Sequence, residues 1–278
     1  MKTAAQKTAA LDPSAGDRLP YAGHLDDHTV MTRGGDLIQM IQVDGVAFET
    51  ADSETLNHMA AVRDVVMRGI ANSSLMLYCH VIRRQVTAEL TGAQPDGFVR
   101  DLDDAWQQQL RGKKLYINDM VLMLVRRPAQ GKIGFFDRLT KWGNGTRNSA
   151  ERLADQTREL RELDAARTNL LSALSRYGPR LLGRYHDANG TCSEPLEILS
   201  ALYNGEMQPV LEPTGDAGQY LPYKRISFGL DALELKGASA ITSRFGAIVS
   251  IKDYPAYTAP GMLDNLLRLP HELTMTES

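Results

Sequence analysis

The sequence predicts an α+β protein made of two sequential sheet-plus-helix subdomains with mostly antiparallel sheets. Three observations predict it. Extended apolar runs alternate with helical apolar spacing in both halves, a basic Gly- and Pro-containing stretch separates the halves, and 278 residues suffice for two cored units. We therefore expect a disordered tail at residues 1–18, a first subdomain at 19–128, a linker or loop at 129–148 and a second subdomain at 149–278.

The first subdomain is predicted to have the order ββαβαβ. A break at Gly34-Gly35 between two apolar runs indicates a β-hairpin with a tight glycine turn. The predicted elements are a hairpin at residues 29–43, a helix from residue 53, a strand at 74–82, a helix at 98–110 and a strand at 116–125. Such an order suits an open sheet with helices covering one face.

The second subdomain is predicted to begin with a long helix over residues 150–177. Its leucines recur close to heptad spacing, and Gly178-Pro179 stops it. A core-facing helix explains this stripe better than an intermolecular coiled coil, because Arg167 interrupts it. The remaining predicted elements are strands at 180–185, 225–228, 232–235 and 245–252 and helices at 194–203 and 263–269.

Composition and charge exclude several classes of protein. A net charge of -3 gives no overall attraction to DNA or to an anionic bilayer, although local basic patches remain possible. The two cysteines, Cys79 and Cys192, are too few for a disulfide framework and fit a reducing cytoplasm. No apolar run approaches the roughly 20 residues that span a bilayer. We therefore expect any membrane association to go through a partner.

Two acidic or histidine-rich groups have metal-compatible side chains. The first comprises His24, Asp26, Asp27 and His28, but ligands from five adjacent residues do not easily surround an ion, so a polar loop is the better interpretation. The second, at residues 101–104, falls at a helix start, where acidic side chains complement the helix dipole.

Catalytic motifs are absent from the sequence. His271-Glu272 opens like a zinc protease motif, but Met275 stands where its second histidine belongs. No segment matches the phosphate-binding pattern G-x-x-x-x-G-K-[ST], and no Gly-x-Ser-x-Gly nucleophile turn occurs. We predict neither catalytic, cofactor-binding nor metal-binding residues in this chain.

Three basic doublets lie at the ends of predicted elements: Arg83-Arg84, Lys113-Lys114 and Arg126-Arg127. On one shared edge they would form a binding patch. Solvated strand ends, whose charge blocks edge-to-edge aggregation, are the simpler explanation. Aromatic residues are not interleaved with these charges as in proteins that bind single-stranded nucleic acid.

Short blocks along nearly the whole chain are similar, in order and spacing, to the N-terminal half of the CagE/TrbE/VirB family of conjugation and type IV secretion ATPases. The blocks are Leu19-Pro20-Tyr21 with His24, Asp44-Gly45, His80-Val81-Ile82-Arg83-Arg84, Asn118-Asp119, Arg127-Pro128, Ser193-Glu194-Pro195-Leu196-Glu197, Asn204-Gly205-Glu206, Arg225-Ile226-Ser227-Phe228-Gly229, Ile251-Lys252-Asp253-Tyr254-Pro255 and Pro260-Gly261-Met262-Leu263.

The resemblance implies a longer protein whose motor domain follows these residues and uses ATP and Mg²⁺. It also implies an oligomer at the cytoplasmic face of the bacterial inner membrane that contacts inner-membrane channel subunits, especially the small one. The chain ends at Thr276-Glu277-Ser278, inside what looks like an unfinished strand, so we expect the natural protein to continue.

The function that follows is a non-catalytic docking and assembly region, with Arg83, Arg84, Arg126 and Arg127 as the candidate partner interface. Family members energise assembly of the channel and pilus and transfer of DNA or protein. Two alternatives remain: a nucleic-acid-binding module on the substrate path, which merged basic doublets would support, and an unrecognised enzyme, which would need a pocket with perturbed titrating groups.

Overall fold

The computed structural model describes residues 14–46, 52–70, 74–87, 97–128, 149–237, 242–251 and 265–277, with residues 92, 239, 253, 256–257 and 262–263. The predicted linker at 129–148 and most of the predicted tail lie outside the described residues. The last residues assigned to the tail form a helical turn, α1 (Ala15–Arg18), which is held by Arg33 through the carbonyl oxygens of Gly16 and Asp17.

A large antiparallel sheet dominates the described part of the chain. Its strand order is β1-β2-β3-β5-β4-β12, and β6 pairs with β3 beside this path. The strands are β1 (Tyr21–His24), β2 (Val30–Thr32), β3 (Leu37–Val43), β4 (Leu75–Val86), β5 (Leu115–Arg126), β6 (Pro179–Leu181) and β12 (Leu273–Glu277). The α+β class with mostly antiparallel sheets is therefore confirmed.

Three strands, not two, precede the first long helix, so the predicted order ββαβαβ is corrected to βββαβαβ. The predicted hairpin is β2 and β3, with Gly35 at φ 89° in its turn. The additional strand β1 pairs antiparallel with β2. Its sequence Tyr-Ala-Gly-His lacks the apolar alternation by which a strand is recognised.

Strands from both sides of residues 129–148 build this one sheet. β6 pairs with β3 through Ile41 and Leu181, and β12 pairs with β4 through Thr276 and His80. The sheet is thus not confined to residues 19–128. The proposed subdomain boundary at residues 129–148 stays a prediction. It does not coincide with a break in the sheet, because strands from both sides of it pair in one sheet.

The central strand β3 supplies side chains to both faces of the sheet, because successive residues alternate. Ile38 and Met40 pack in one apolar cluster with α5 (Glu194–Asn204), and Leu37 and Ile41 pack in a second cluster with α4 (Ser149–Ala173). Helices therefore cover both faces, whereas the sequence predicted one. α2 (Ser53–Ile70) contributes its last residue to the α4 side.

The leucine stripe of the long helix faces the core, as predicted. Leu163 and Leu170 are fully buried and Leu174 nearly so, all against the sheet. The helix is followed by a 3₁₀ turn at Ser175–Tyr177. Gly178 then adopts a left-handed conformation, with φ 61°, and stops the helix where the sequence indicated.

The predicted helix at 194–203 is α5, and its ends have clear physical causes. Ser193 accepts a hydrogen bond from the backbone N–H of Leu196 as the N-cap, and Pro195 lies in the first turn, where a missing N–H costs nothing. Gly205 closes the helix at φ 70°.

Three predictions in the second half are corrected. The strand expected at 180–185 is two strands, β6 and β7 (Arg184–Asp187), and β7 forms a hairpin with β8 (Gly190–Ser193). The helix expected at 263–269 is a 3₁₀ turn at Leu266–Arg268, since Pro270 disfavours helical conformation at Leu269.

The third correction concerns the strand expected at 245–252. Only β11 (Arg244–Gly246) forms there, as part of a small sheet β11-β10-β9 with β10 (Leu233–Lys236) and β9 (Arg225–Phe228). A short helix, α6 (Ala217–Tyr220), precedes this sheet and packs near α1.

Candidate docking surface

The basic doublets do not share one edge of the sheet. In the β4–β5 ladder Arg83 pairs with Asn118, whereas Arg126 pairs with Leu75. Eight residues of strand separate positions 118 and 126, or about 27 Å at the usual rise per residue. Lys113-Lys114 precede Leu115, which pairs with Val86, so the lysines and Arg83-Arg84 lie at one end and Arg126-Arg127 at the other.

Arg126 has a structural role. Its side chain is buried and forms an ion pair of 2.6 Å with Glu162 of α4, which ties the end of β5 to the helix. Its Nε has no hydrogen-bond acceptor among the described residues. Arg127 is exposed, and its backbone N–H donates to the carbonyl oxygen of Ser74 at 2.8 Å.

At the opposite end, Arg83 and Arg84 are partly exposed and partly engaged. The guanidinium of Arg83 lies 4.6 Å from the ring centroid of Tyr116 and donates to Asn118 at 2.9 Å. Arg84 pairs with Asp119 at 2.5 Å. These contacts hold both guanidinium groups at the end of the long β4–β5 ladder while leaving part of each accessible to solvent.

Between β4 and β5 lies α3 (Phe98–Arg111), a helix that buries none of its residues. Phe98, Leu102 and Trp106, spaced four apart, form one face and are 78%, 59% and 54% exposed. The partly buried positions include the polar Asp103 and Gln107. The element order favoured helices that cover one face of the sheet, but α3 turns this apolar face to solvent.

We use the name ladder-end surface for two groups of exposed or partly exposed side chains in consecutive elements of the chain, Arg83 and Arg84 of β4 and Phe98, Leu102 and Trp106 of α3. The arginines belong to the last residues of β4, and α3 belongs to the connection that leaves this end of β4 and returns to β5. Exposed large apolar residues that line one helix face are typical of interaction sites. The sequence showed the helical spacing of these residues, but it did not show that their side chains are exposed to solvent.

The cluster His24, Asp26, Asp27 and His28 is a polar loop with separate partners for each side chain. Asp26 accepts hydrogen bonds from the backbone N–H groups of His28 and Thr29 at 2.9 and 2.8 Å. Asp27 pairs with Arg184, and His28 contacts the carbonyl oxygen of Leu182. Within the described residues no group of three His, Cys, Asp or Glu could hold a metal ion.

His24 and Ser193 form a contact that resembles a base and a nucleophile. The Nε2 of His24 lies 2.6 Å from the Oγ of Ser193, and burial lowers the pKa of His24. Ser193 is fully buried, however, and its Oγ already accepts the N-cap hydrogen bond. The pair therefore joins β1 to the start of α5, and a substrate has no access to the hydroxyl.

Two other perturbed groups connect α5 to its surroundings. Tyr185 donates to Glu197 at 2.6 Å, and burial raises the pKa of Glu197. Burial also acts to raise the pKa of Glu206, but hydrogen bonds from Lys224 and Tyr223 outweigh it, so the pKa is lowered. The charges of Glu194 and Asp187 raise the pKa of Glu197 further, while its hydrogen bond from Tyr185 acts to lower it.

Asn204, in one of the sequence blocks noted above, organises the turn after α5. Its side-chain nitrogen donates to the carbonyl oxygens of Ser200 and Leu221, and its oxygen accepts from the backbone N–H groups of Tyr223 and Lys224. The side chain is fully buried. These four bonds position the segment that leads into the small sheet.

The helices in the described part of the chain do not combine the length and apolar character needed to cross a bilayer. The candidate site is thus a surface of exposed apolar and basic side chains.

Comparison with known proteins agrees with this description. Residues 28–133 match the type IV secretion system ATPase VirB4/TrbE, N-terminal domain, and residues 180–278 match the CagE, TrbE, VirB family, component of type IV transporter system. These matches define a component of a type IV transporter.

Curated relatives of this chain are type IV secretion system proteins of other bacteria. The type IV secretion system protein virB4 of Bartonella henselae is 30% identical over 266 residues, which are 94% of this chain and 33% of the relative. The virB4 of Brucella melitensis and PtlC of Bordetella pertussis are each 29% identical over 267 residues, 94% of this chain and 31% of the relative.

The chain belongs to the VirB4/TrbE family of type IV secretion ATPases, and the resemblance predicted from the sequence is confirmed. It spans about a third of the length of the curated relatives it matches.

Proposed function

We propose that these residues are the non-catalytic docking and assembly region of a type IV secretion ATPase, and that the ladder-end surface contacts an inner-membrane subunit of the channel. The observation that carries the proposal is the apolar face of α3, whose Phe98, Leu102 and Trp106 are all more than half exposed. The ATPase activity, its ATP and Mg²⁺, self-association and the transfer of DNA or protein belong in this proposal to the longer protein.

The chemistry of the ladder-end surface suits a protein partner. Trp and Phe supply large contact area, and Arg is enriched at interfaces because its planar group binds carboxylates and stacks on aromatic rings. Such a combination of aromatic residues and Arg is typical of the few residues that dominate binding energy. The small inner-membrane subunit is the partner that the family resemblance implies. Contact with it would hold the protein at the cytoplasmic face of the inner membrane.

Arg126 and Arg127 lie at the far end of the ladder and remain separate predictions. A contact through Arg126 would have to break its pair with Glu162. Arg127 is exposed and can be tested directly. We assign the main contact to Arg83, Arg84 and α3.

The test is pull-down of the small inner-membrane subunit by wild type and by Leu102→Ser/Trp106→Ser and Arg83→Glu/Arg84→Glu variants. Both double variants should recover at least about tenfold less partner, because a lost anchor at an interface typically costs more than 1 kcal/mol. Val65→Ser is the matched control, since Val65 is 70% exposed on a different helix.

Circular dichroism must show that every variant is folded. Equal recovery by wild type and both double variants would contradict the proposal. Arg127→Glu forms a separate arm: reduced recovery would extend the interface to the far end of the ladder. Salt-dependent binding of single-stranded DNA that Arg83→Glu/Arg84→Glu abolishes would favour the nucleic-acid alternative instead.

A further inference from the structure

One segment of the second half lies along the outer edge of the β4–β5 ladder. It comprises residues 265–277, which form the 3₁₀ turn at Leu266–Arg268 and strand β12, and we call it the ladder strap. Its strand pairs with the outer edge of β4, from Leu273 opposite Arg83 to Glu277 opposite Cys79. The strap is therefore a neighbour of the arginine that belongs to the ladder-end surface.

Side chains at the end of the ladder bind the backbone of the strap. The Nε of Arg83 donates to the carbonyl oxygen of Leu269 at 2.8 Å, and the hydroxyl of Tyr116 donates to the carbonyl oxygen of Pro270 at 2.8 Å. The ring of Tyr116 also lies under the guanidinium of Arg83, 4.6 Å from its central carbon to the ring centroid. One arginine and one tyrosine thus hold two consecutive carbonyl groups of the strap.

These contacts limit what Arg83 can bind. An arginine binds a carboxylate best through two parallel hydrogen bonds from neighbouring nitrogens. The Leu269 carbonyl occupies Nε, and Nη1 donates to the side chain of Asn118 at 2.9 Å. The strap therefore blocks the side of the guanidinium that Nε and Nη2 form, and a carboxylate of a partner cannot make both bonds there while the strap is in place.

The strap itself is weakly held. None of its residues is buried, and none belongs to either apolar cluster of the large sheet. Leu266 and Leu269, for example, are 43% and 40% exposed. Segments that bury little apolar surface and depend on exposed hydrogen bonds open before the rest of a folded protein. The strap has both properties, so it can leave the sheet while the core stays folded.

Detachment would also relieve a buried polar group. His80 is 3% exposed, and its Nδ1 lies 2.9 Å from the Oγ1 of Thr276, which is opposite it in the strap. The Nε2 of His80 is buried without a hydrogen-bond partner among the described residues. Such a group costs free energy. Removing the strap uncovers one side of this ring and lets water reach it, which lowers the cost of detachment.

We infer that the ladder strap is an autoinhibitory contact, which has to detach before Arg83 can bind a carboxylate of the partner subunit through two parallel hydrogen bonds. The inference rests on the proposed function, because it concerns regulation of the same surface. A carboxylate can displace the strap at Arg83, since a hydrogen bond between two charged groups is roughly twice as strong as one to a neutral carbonyl.

A disulfide that locks the strap is the first test. Cys79 lies opposite Glu277, and paired Cα atoms of antiparallel strands are about 4.5–5.5 Å apart, within the range of a disulfide. Glu277→Cys is oxidised with glutathione disulfide, the bond is verified by mass spectrometry, and the same variant in reduced form is the matched control. The oxidised form should recover at least about fivefold less of the small inner-membrane subunit, because the binding-competent state is depleted. Equal recovery by both forms would overturn the inference.

Tyr116→Phe tests the opposite direction. It keeps the ring under Arg83 and removes only the hydroxyl that holds the carbonyl of Pro270. Recovery of the subunit should rise about fivefold above wild type, as expected when one hydrogen bond of the closed state is lost. Tyr220→Phe, in α6, is the matched control and should leave recovery unchanged. Unchanged or reduced recovery by Tyr116→Phe would assign the contact a structural role only and contradict the inference.

A measurement without the partner separates this inference from the proposed function. Phenylglyoxal modifies accessible arginines, and mass spectrometry gives the rate at each one. Arg83 should react at least about fivefold more slowly in oxidised than in reduced Glu277→Cys, because the lock removes the open state. Arg84, which pairs with Asp119 rather than with the strap, should react equally in both forms. Equal rates at Arg83 would overturn the inference, whereas different rates together with no recovery of the subunit by wild type would overturn only the proposed function.

Discussion

At the scale of single residues, buried polar groups connect the segments of the second half. Asn204 satisfies two backbone carbonyl oxygens and two backbone N–H groups from one position. The sequence block Asn204-Gly205-Glu206 therefore has a structural cause: Asn204 fixes the following segment, and Gly205 adopts the left-handed conformation that ends α5. Arg126 also has a structural role. Its ion pair with Glu162 explains why a basic residue stands at this position, without any partner protein.

Asn204→Ala should destabilise the chain by about 3 kcal/mol, because it leaves the backbone N–H groups of Tyr223 and Lys224 without their acceptor. The measurement is the free energy of unfolding in urea. Asn189→Ala is the control, since Asn189 is exposed in a turn and its loss should cost no more than about 0.5 kcal/mol. A similar cost for both variants would remove Asn204 from the role assigned to it.

At the scale of elements, the sequence predicted those strands and helices whose apolar period was clear. The hairpin β2–β3, the long helix α4 and the capped helix α5 all carry their own signals of period, turn or cap. The sequence did not indicate β1, because its four residues show no alternation of apolar and polar side chains. It also did not indicate that the apolar face of α3 is exposed, because the period of apolar residues does not tell what packs against a helix face. Pairings between distant segments, such as β12 with β4, have no local signal at all.

A substitution in helix α4 tests whether this helix and the large sheet unfold together. Leu170 is fully buried against Leu37 and Ile41 of the large sheet, so Leu170→Ala should cost about 3 kcal/mol through lost burial and a cavity. The loss should appear in the same cooperative transition that unfolds β3, measured by hydrogen exchange at β3 amides. Asn169→Ala, one residue earlier and exposed, should leave that exchange unchanged. Two separate transitions, with only the second affected, would instead support two independent subdomains.

At the scale of the whole molecule, helices cover both faces of the large sheet, while α3 leaves its own apolar face exposed to solvent. The partner proposed for the ladder-end surface is a subunit of the channel. β6 and β12, from the second half of the chain, pair with this sheet and so join both halves in one layer.

The sequence predicts that the 278-residue chain neither binds nor hydrolyses ATP. Phosphate binding in a P-loop needs backbone N–H groups in a glycine-rich turn and a Lys followed by Ser or Thr, and the sequence has no such segment. Gly112-Lys113-Lys114 comes nearest but lacks the hydroxyl residue, and it lies on the exposed connection between α3 and β5. Calorimetric titration with ATP and Mg²⁺ should give no heat of binding, and a phosphate-release assay should match the buffer blank. A binding signal from the 278-residue chain that a competing nucleotide abolishes would show that phosphate recognition begins within these residues and would revive the enzyme alternative.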